Sequence, residues 1–70
     1  MIDTVGLGQK IADARKGRGL TQGDLAKAVG VTAQAVSKWE RGNSCPDIAI
    51  LDEVARALSI SVSDLLGLRD

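Results

Sequence analysis

Residues 21–42, TQGDLAKAVGVTAQAVSKWERG, read as two short helices joined by a tight turn. Thr21 is a hydroxyl residue suited to accept an orphan backbone N–H. Asp24, three positions later, approaches a capping-box arrangement, so a helix is expected over 22–29. Gly30 supplies the left-handed residue that ends it. Thr32 caps a second helix over 33–41, and Gly42 stops it. Two helices joined in this way can place the second in the DNA major groove, so DNA binding is the activity this stretch predicts.

The second helix has two distinct sides. Advancing about 100° per residue groups Val36, Trp39 and Ala35 on one arc and Ser37, Arg41, Gln34 and Lys38 on the other. The apolar arc requires burial, which leaves the polar arc facing outward. That arc holds an amide, a hydroxyl and two cations, the groups that hydrogen-bond base edges and pair with phosphates. In an isolated amphipathic helix the same arc would be a solvated face. Ala26 argues against this, because it lies where a steeply crossing second helix needs a small side chain. Val31 in the turn can fold beneath both helices.

Further matches lie on either side. Ile11 and Arg15 precede Gly19-Leu20-Thr21-Gln22, Leu25-Ala26 and Val29-Gly30-Val31. Then come Val36-Ser37-Lys38-Trp39-Glu40-Arg41-Gly42, Pro46, Leu51, Ala55, Leu58 and Leu65-Leu66. From about residue 8 to 66, without a gap, this pattern resembles the repressor-type (Cro/C1, XRE-like) helix-turn-helix family of phage repressors, Cro proteins and small bacterial regulators. The resemblance implies a compact all-α fold of five helices, with the third as recognition helix. It implies sequence-specific double-stranded DNA binding by a transcriptional regulator of the repressor type. It also implies a partly buried ion pair between Arg15 and Glu40, tying the first helix to the third. The residues alone would allow two independent surface charges.

The family's contact residues carry over position by position. Gln22 matches a residue that hydrogen-bonds a phosphate and braces the recognition helix, and the N–H groups at that helix start favour an anion in any case. Gln34 is the main base-reading candidate, since an amide can make a paired contact with adenine. Ser37 and Lys38 follow, Lys38 to guanine or to phosphate. Thr32, Arg41 and Asn43 are expected to position the DNA backbone. Ala33 departs from the long polar side chain of many relatives; its methyl group can touch a thymine methyl but cannot hydrogen-bond a base. Ala35 is equally short, so the direct-readout set is thin and DNA shape is expected to carry part of the specificity.

The remaining elements follow from periodicity and caps. Ile11, Ala14 and the later Leu20 predict a first helix over 7–17, closed by Gly17-Arg18-Gly19. Residues 1–6 read either as a flexible arm or as the start of that helix. Residues 42–46 form a loop rich in turn formers. Asp47 caps a fourth helix carrying Ile48, Leu51, Val54, Ala55 and Leu58, and Ser61 with Asp64 starts a short fifth carrying Val62, Leu65 and Leu66. No linker, repeat or low-complexity tract divides residues 1–70, which read as a single helix-turn-helix domain.

Composition limits the alternatives. Seventy residues lie at the size where one core only just suffices. The 44% hydrophobic fraction contains one Trp and no Phe or Tyr, and Trp39 reads as a core anchor. No apolar run is long enough to cross a membrane, no signal-peptide pattern is present, and Cys45 has no partner for an internal disulfide, so a cytoplasmic protein is expected. Histidine is absent, which removes the commonest general base and metal ligand. One cysteine and scattered carboxylates make no zinc site. Gly6 and Gly8 are too isolated for a phosphate loop. The chain is therefore expected to be no enzyme and to need no cofactor or metal.

Zero net charge and a pI near 6.1 run against the basic footprint of a nucleic-acid binder. The distribution restores it. Up to Cys45, seven basic residues face four acidic ones; from Pro46 onward, two face five. A basic front and an acidic back can still meet a phosphate backbone front first, with modest non-specific affinity because few cations are available. Binding is expected as a symmetric pair on a palindromic operator, with half-sites about one helical turn apart. The pair would be a weak homodimer, assembled if need be only on DNA. Its contacts would come from the last helix and the loop before the fourth, where Ile60 or Leu68 stays partly exposed. The alternative is a protein-interaction module, such as an antitoxin or adaptor, using the polar helix face or the acidic surface around Asp52 and Glu53.

Overall fold

The computed structural model describes residues 4–67. Five helices run through it: α1 (Thr4–Gly17), α2 (Gln22–Val29), α3 (Ala33–Glu40), α4 (Ile48–Leu58) and α5 (Val62–Leu66). The fold is all-α among the described residues. No helix among them is long and apolar enough to cross a membrane.

Local chemistry starts the last four helices. Thr21 Oγ1 accepts from the Asp24 amide at 3.0 Å while the Asp24 carboxylate accepts from the Thr21 amide at 2.9 Å, a complete capping box. Thr32, Asp47 and Ser61 accept from the amides of Ala35, Ile50 and Asp64 in the same way. Gly30, at φ 84°, ends α2, and the amides of Gly30 and Val31 both donate to Ala26 O. That closure leaves Val31 and Thr32 to make the turn into α3.

Side chains from all five helices meet in one core. Ile11, Leu25, Val36, Val54, Leu58 and Leu65 are fully buried, with Leu7, Ala26, Trp39, Leu51 and Ala55 around them. Burying a Leu, Ile or Val side chain stabilises by about 1.5–3 kcal/mol. That is a large share of the net stability open to a small domain, about 5–15 kcal/mol at most. α3 packs on both α1 and α2, α4 packs under α2, and α5 closes the bundle against α1 and α4. Val31 lies half-buried against the core, and Ala26 is buried.

Two expectations are corrected. α1 begins at Thr4 rather than at about 7, so of the two readings of the preceding residues the start of the helix holds for 4–6; residues 1–3 lie outside the described residues. α3 ends at Glu40 with Arg41 as its cap, in line with the expected end at about 41. Ile48, grouped with the buried stripe of α4, is 86% exposed. It is the first residue of the helix, where the side chain tilts toward the N-terminus, past the layer that covers Leu51 and Ala55.

α4 ends on Ser59, which holds the left-handed conformation at φ 58° although it is not glycine. Its geometry is imposed by Ile60 N donating to Ala55 O at 3.0 Å. A non-glycine residue there costs roughly 1–2 kcal/mol, offset in part by the extra freedom glycine loses on folding. Ser59→Gly should therefore stabilise by about 0.5–1 kcal/mol, raising the melting temperature by several degrees in thermal unfolding. An unchanged or lower melting temperature would contradict the assignment of strain to this cap.

Candidate nucleic-acid interface

α3 carries the candidate contact residues because two neighbours bury its other side. Val36 and Trp39 are buried, while Ala33, Gln34 and Lys38 are exposed and Ser37 is half-buried. Exposed Thr32 stands before the helix, and exposed Arg41 and Asn43 follow it. The structure thus gathers these residues along one helix and its two ends. Gln22 stands apart at the start of α2. An eight-residue helix is about 12 Å long, short enough to sit within a major groove that admits an α-helix.

Several of these side chains already have work within the fold. Thr32 Oγ1 accepts from Ala35 N at 3.1 Å, which leaves its own O–H free to donate. Arg41 Nε donates to Ser37 O at 3.3 Å, one of five N–H donors on the guanidinium. The Asn43 amide donates to Lys38 O at 2.9 Å and the Gly42 amide to Trp39 O at 3.0 Å. With Gly42 at φ 77°, this is a Schellman ending. It holds Asn43 directly beside the end of α3.

Behind α3 lies a charged anchor. Arg15 Nε donates to Glu40 Oε2 at 2.6 Å, and Nη2 donates to Oε1 at 3.0 Å. Nη1 donates to Leu20 O at 2.7 Å, and Gln22 Nε2 donates to Glu40 Oε1 at 2.9 Å. One guanidinium therefore joins α1, the turn after it and α3, while Gln22 adds α2. The fork-to-carboxylate geometry is the strong form of such a pair. No buried side-chain polar atom among the described residues lacks a partner. Burial works to raise the Glu40 pKa, but the hydrogen bonds from Arg15 and Gln22, with the charges of Arg15 and Lys16, outweigh it. The carboxyl is held below its ordinary range. The hydrogen bond to Glu40 likewise raises Arg15 and keeps it charged.

The sequence reading passed over Gly8 except to exclude a phosphate loop. It is buried in mid-α1, and a Cβ there would stand 2.1 Å from Trp39 O. A signal was available, since glycine inside a helix costs about 1 kcal/mol relative to alanine and calls for a packing reason.

With this geometry in place, the comparisons with known proteins agree. The helix-turn-helix family model matches residues 11–65. A Bacillus subtilis relative, the uncharacterized HTH-type transcriptional regulator YazB, is 40% identical over 58 residues, covering 83% of this chain and 84% of YazB. Other relatives carry the matching region within longer proteins. Among solved structures, the restriction-modification controller protein C.AhdI from Aeromonas hydrophila superposes with a TM-score of 0.84 at 32% identity, covering 90% of this chain and 91% of that one. The P22 c2 repressor, solved in complex with a synthetic operator, gives a TM-score of 0.84 at 37% identity, covering 86% and 91%. The chain belongs to the helix-turn-helix family of transcriptional regulators, in its repressor-like Cro/C1 branch. These are DNA-binding regulators and not enzymes.

Removing Glu40 strands a buried guanidinium, which costs about 3–5 kcal/mol, whereas Lys38 is exposed. Glu40→Ala should lower the melting temperature by more than about 10 °C, and Lys38→Ala should leave it nearly unchanged. Equal melting temperatures would refute the anchor. Because the Glu40 pKa is depressed in the fold, its contribution is present above the ordinary carboxyl pKa and lost as pH falls through the folded value. The stability gap between the parent and Glu40→Gln should hold at neutral pH and shrink in acid; a gap independent of pH would contradict the linkage.

Proposed function

We propose that the chain is a sequence-specific double-stranded DNA-binding transcriptional regulator, of the repressor type, that reads the major groove with α3. The observation that carries this is the division of α3. Its inner side is locked to α1 and α2 through Glu40, Val36 and Trp39, while the outer side offers Gln34, Ser37 and Lys38. A rigidly held helix with an unburied row of donors and acceptors suits base readout. The operator complex of the P22 c2 repressor, a protein of like fold, supports the same use.

In this reading Gln34 pairs with adenine, Lys38 reaches guanine or phosphate, Ser37 adds a hydroxyl, and Ala33 meets a thymine methyl. Thr32, Arg41 and Asn43 hold the backbone. Gln22 spends one Nε2 hydrogen on Glu40. The other hydrogen, and the backbone N–H groups of Gln22 and Gly23 ahead of the capped Asp24 amide, are available to phosphate. The protein acts in the cytoplasm, without cofactor, as a weak homodimer that two half-sites bring together. The last helix α5, with half-buried Ile60 just before it, and the loop before α4, next to exposed Ile48 at the start of that helix, are the contacts proposed for that dimer. Leu68 lies outside the described residues.

Selection from a random duplex library at moderate salt tests this. An inverted repeat with half-sites about one turn apart should emerge, and Gln34→Ala should weaken binding to it by about 1–3 kcal/mol, roughly ten- to a hundredfold. Folded protein that enriches no sequence would overturn the proposal and favour the protein-interaction alternative.

A further inference from the structure

We propose that Gly8 is a positioning residue for the recognition helix, its bare backbone setting where α3 stands relative to the domain. The proposal rests on the DNA-reading role given to α3 above. A Cβ on Gly8 would lie 2.1 Å from Trp39 O and 3.0 Å from Glu40 O. A carbon–carbonyl contact needs about 3.3 Å or more, so even a methyl group must part α1 and α3 by about 1 Å. Both obstacles are backbone atoms with no rotamer to relieve them, and Trp39 O is already held by the Gly42 amide.

Further α1 contacts fall on the same end of α3. Arg15 grips Glu40. The Thr4 hydroxyl donates to Gly42 O at 3.4 Å, and Val5 Cγ2 would stand 2.9 Å from a Cβ on Gly42. α1 therefore clamps the C-terminal end of α3, at residues 39, 40 and 42. The N-terminal end, where Ala33 and Gln34 sit, follows the short turn from α2, the helix on which α3 also packs. A helix moves as a rigid element, so displacing its clamped end by about 1 Å shifts or tilts the base-reading end. Paired hydrogen bonds weaken steeply within that distance. A lysine on a flexible stem follows a phosphate through the same shift. Discrimination between sequences is lost before general adherence to DNA.

The test compares Gly8→Ala with the parent on the selected operator, on single-base variants of it and on random duplex, below the melting point and with helix content checked by circular dichroism. Gly8→Ala should lose at least about tenfold of the preference for the operator over its variants, with random-duplex binding at the same salt unchanged. Val62→Ala, on α5, which packs on α1 and α4, serves as the destabilised control and should keep the preference. Should Gly8→Ala fail to fold, Val5→Ala, at a residue 66% exposed, relaxes the same clamp and should show a smaller loss in the same direction. Full discrimination in a folded clamp variant, or equal loss in Val62→Ala, would overturn the positioning role. A parent protein that selects no operator would overturn the DNA reading, and this proposal with it.

Discussion

The Arg15–Glu40 pair is the interaction on which the rest of the structure depends. Its members lie 25 residues apart in sequence, on two different helices of a domain whose size leaves little apolar area to spare. A guanidinium with its Nε and both Nη groups hydrogen-bonded avoids the penalty of a buried, unpaired charge. Gln22 fills a further acceptor position on Glu40. The result ties α1, α2 and α3 together through directional contacts, which aliphatic packing of Leu and Val cannot supply. Apolar burial holds the bundle together, and the ion pair fixes the orientation of α3 within it.

Orientation matters for the proposed role of α3 because the candidate recognition surface is sparse. Ala33, at an exposed position of α3, has no side-chain hydrogen-bonding group, and the equally short Ala35 is half-buried against the core. Each remaining polar group then carries a larger share of any discrimination, and misplacement of the helix costs proportionally more. A domain with zero net charge also gains less from non-specific phosphate attraction than a basic one. Rigid presentation by α1 and α2 is the compensation visible in the fold. The acidic α4, with Asp52 paired to Arg56 at 3.4 Å on an exposed face, lies on a helix that packs against α2 rather than beside the outer face of α3.

Much of this architecture was legible before any coordinates. Thr21, Thr32, Asp47 and Ser61 mark helix starts because a side-chain oxygen three residues ahead of a free amide is a local matter, decided within one turn. Gly30 and Gly42 mark helix ends for the same reason, since left-handed backbone is cheap only for glycine. The polar arc of α3 followed from periodicity, and the likeness of Arg15 and Glu40 to a family pair pointed to their contact. Less legible were the start of α1 and the fate of Ile48. Residues 4–6 carry no strong pattern in the sequence, and Ile48 has the right spacing but no element to cover it. Gly8 was missed because its reason is a carbonyl of another helix.

The sequence by itself determined five helices, their caps and turns, the side of α3 that must be buried, and the family. These are short-range properties, set by hydrogen bonds across three or four residues and by which side chains leave water. Only the tertiary structure decided which polar groups remain free to meet DNA. It spends Gln22 partly on Glu40, Thr32 partly on its own helix, and the missing side chain of Gly8 on bringing α1 against Trp39 and Glu40. Those assignments depend on distances between segments remote in the chain, and close packing sets such distances for all five helices at once.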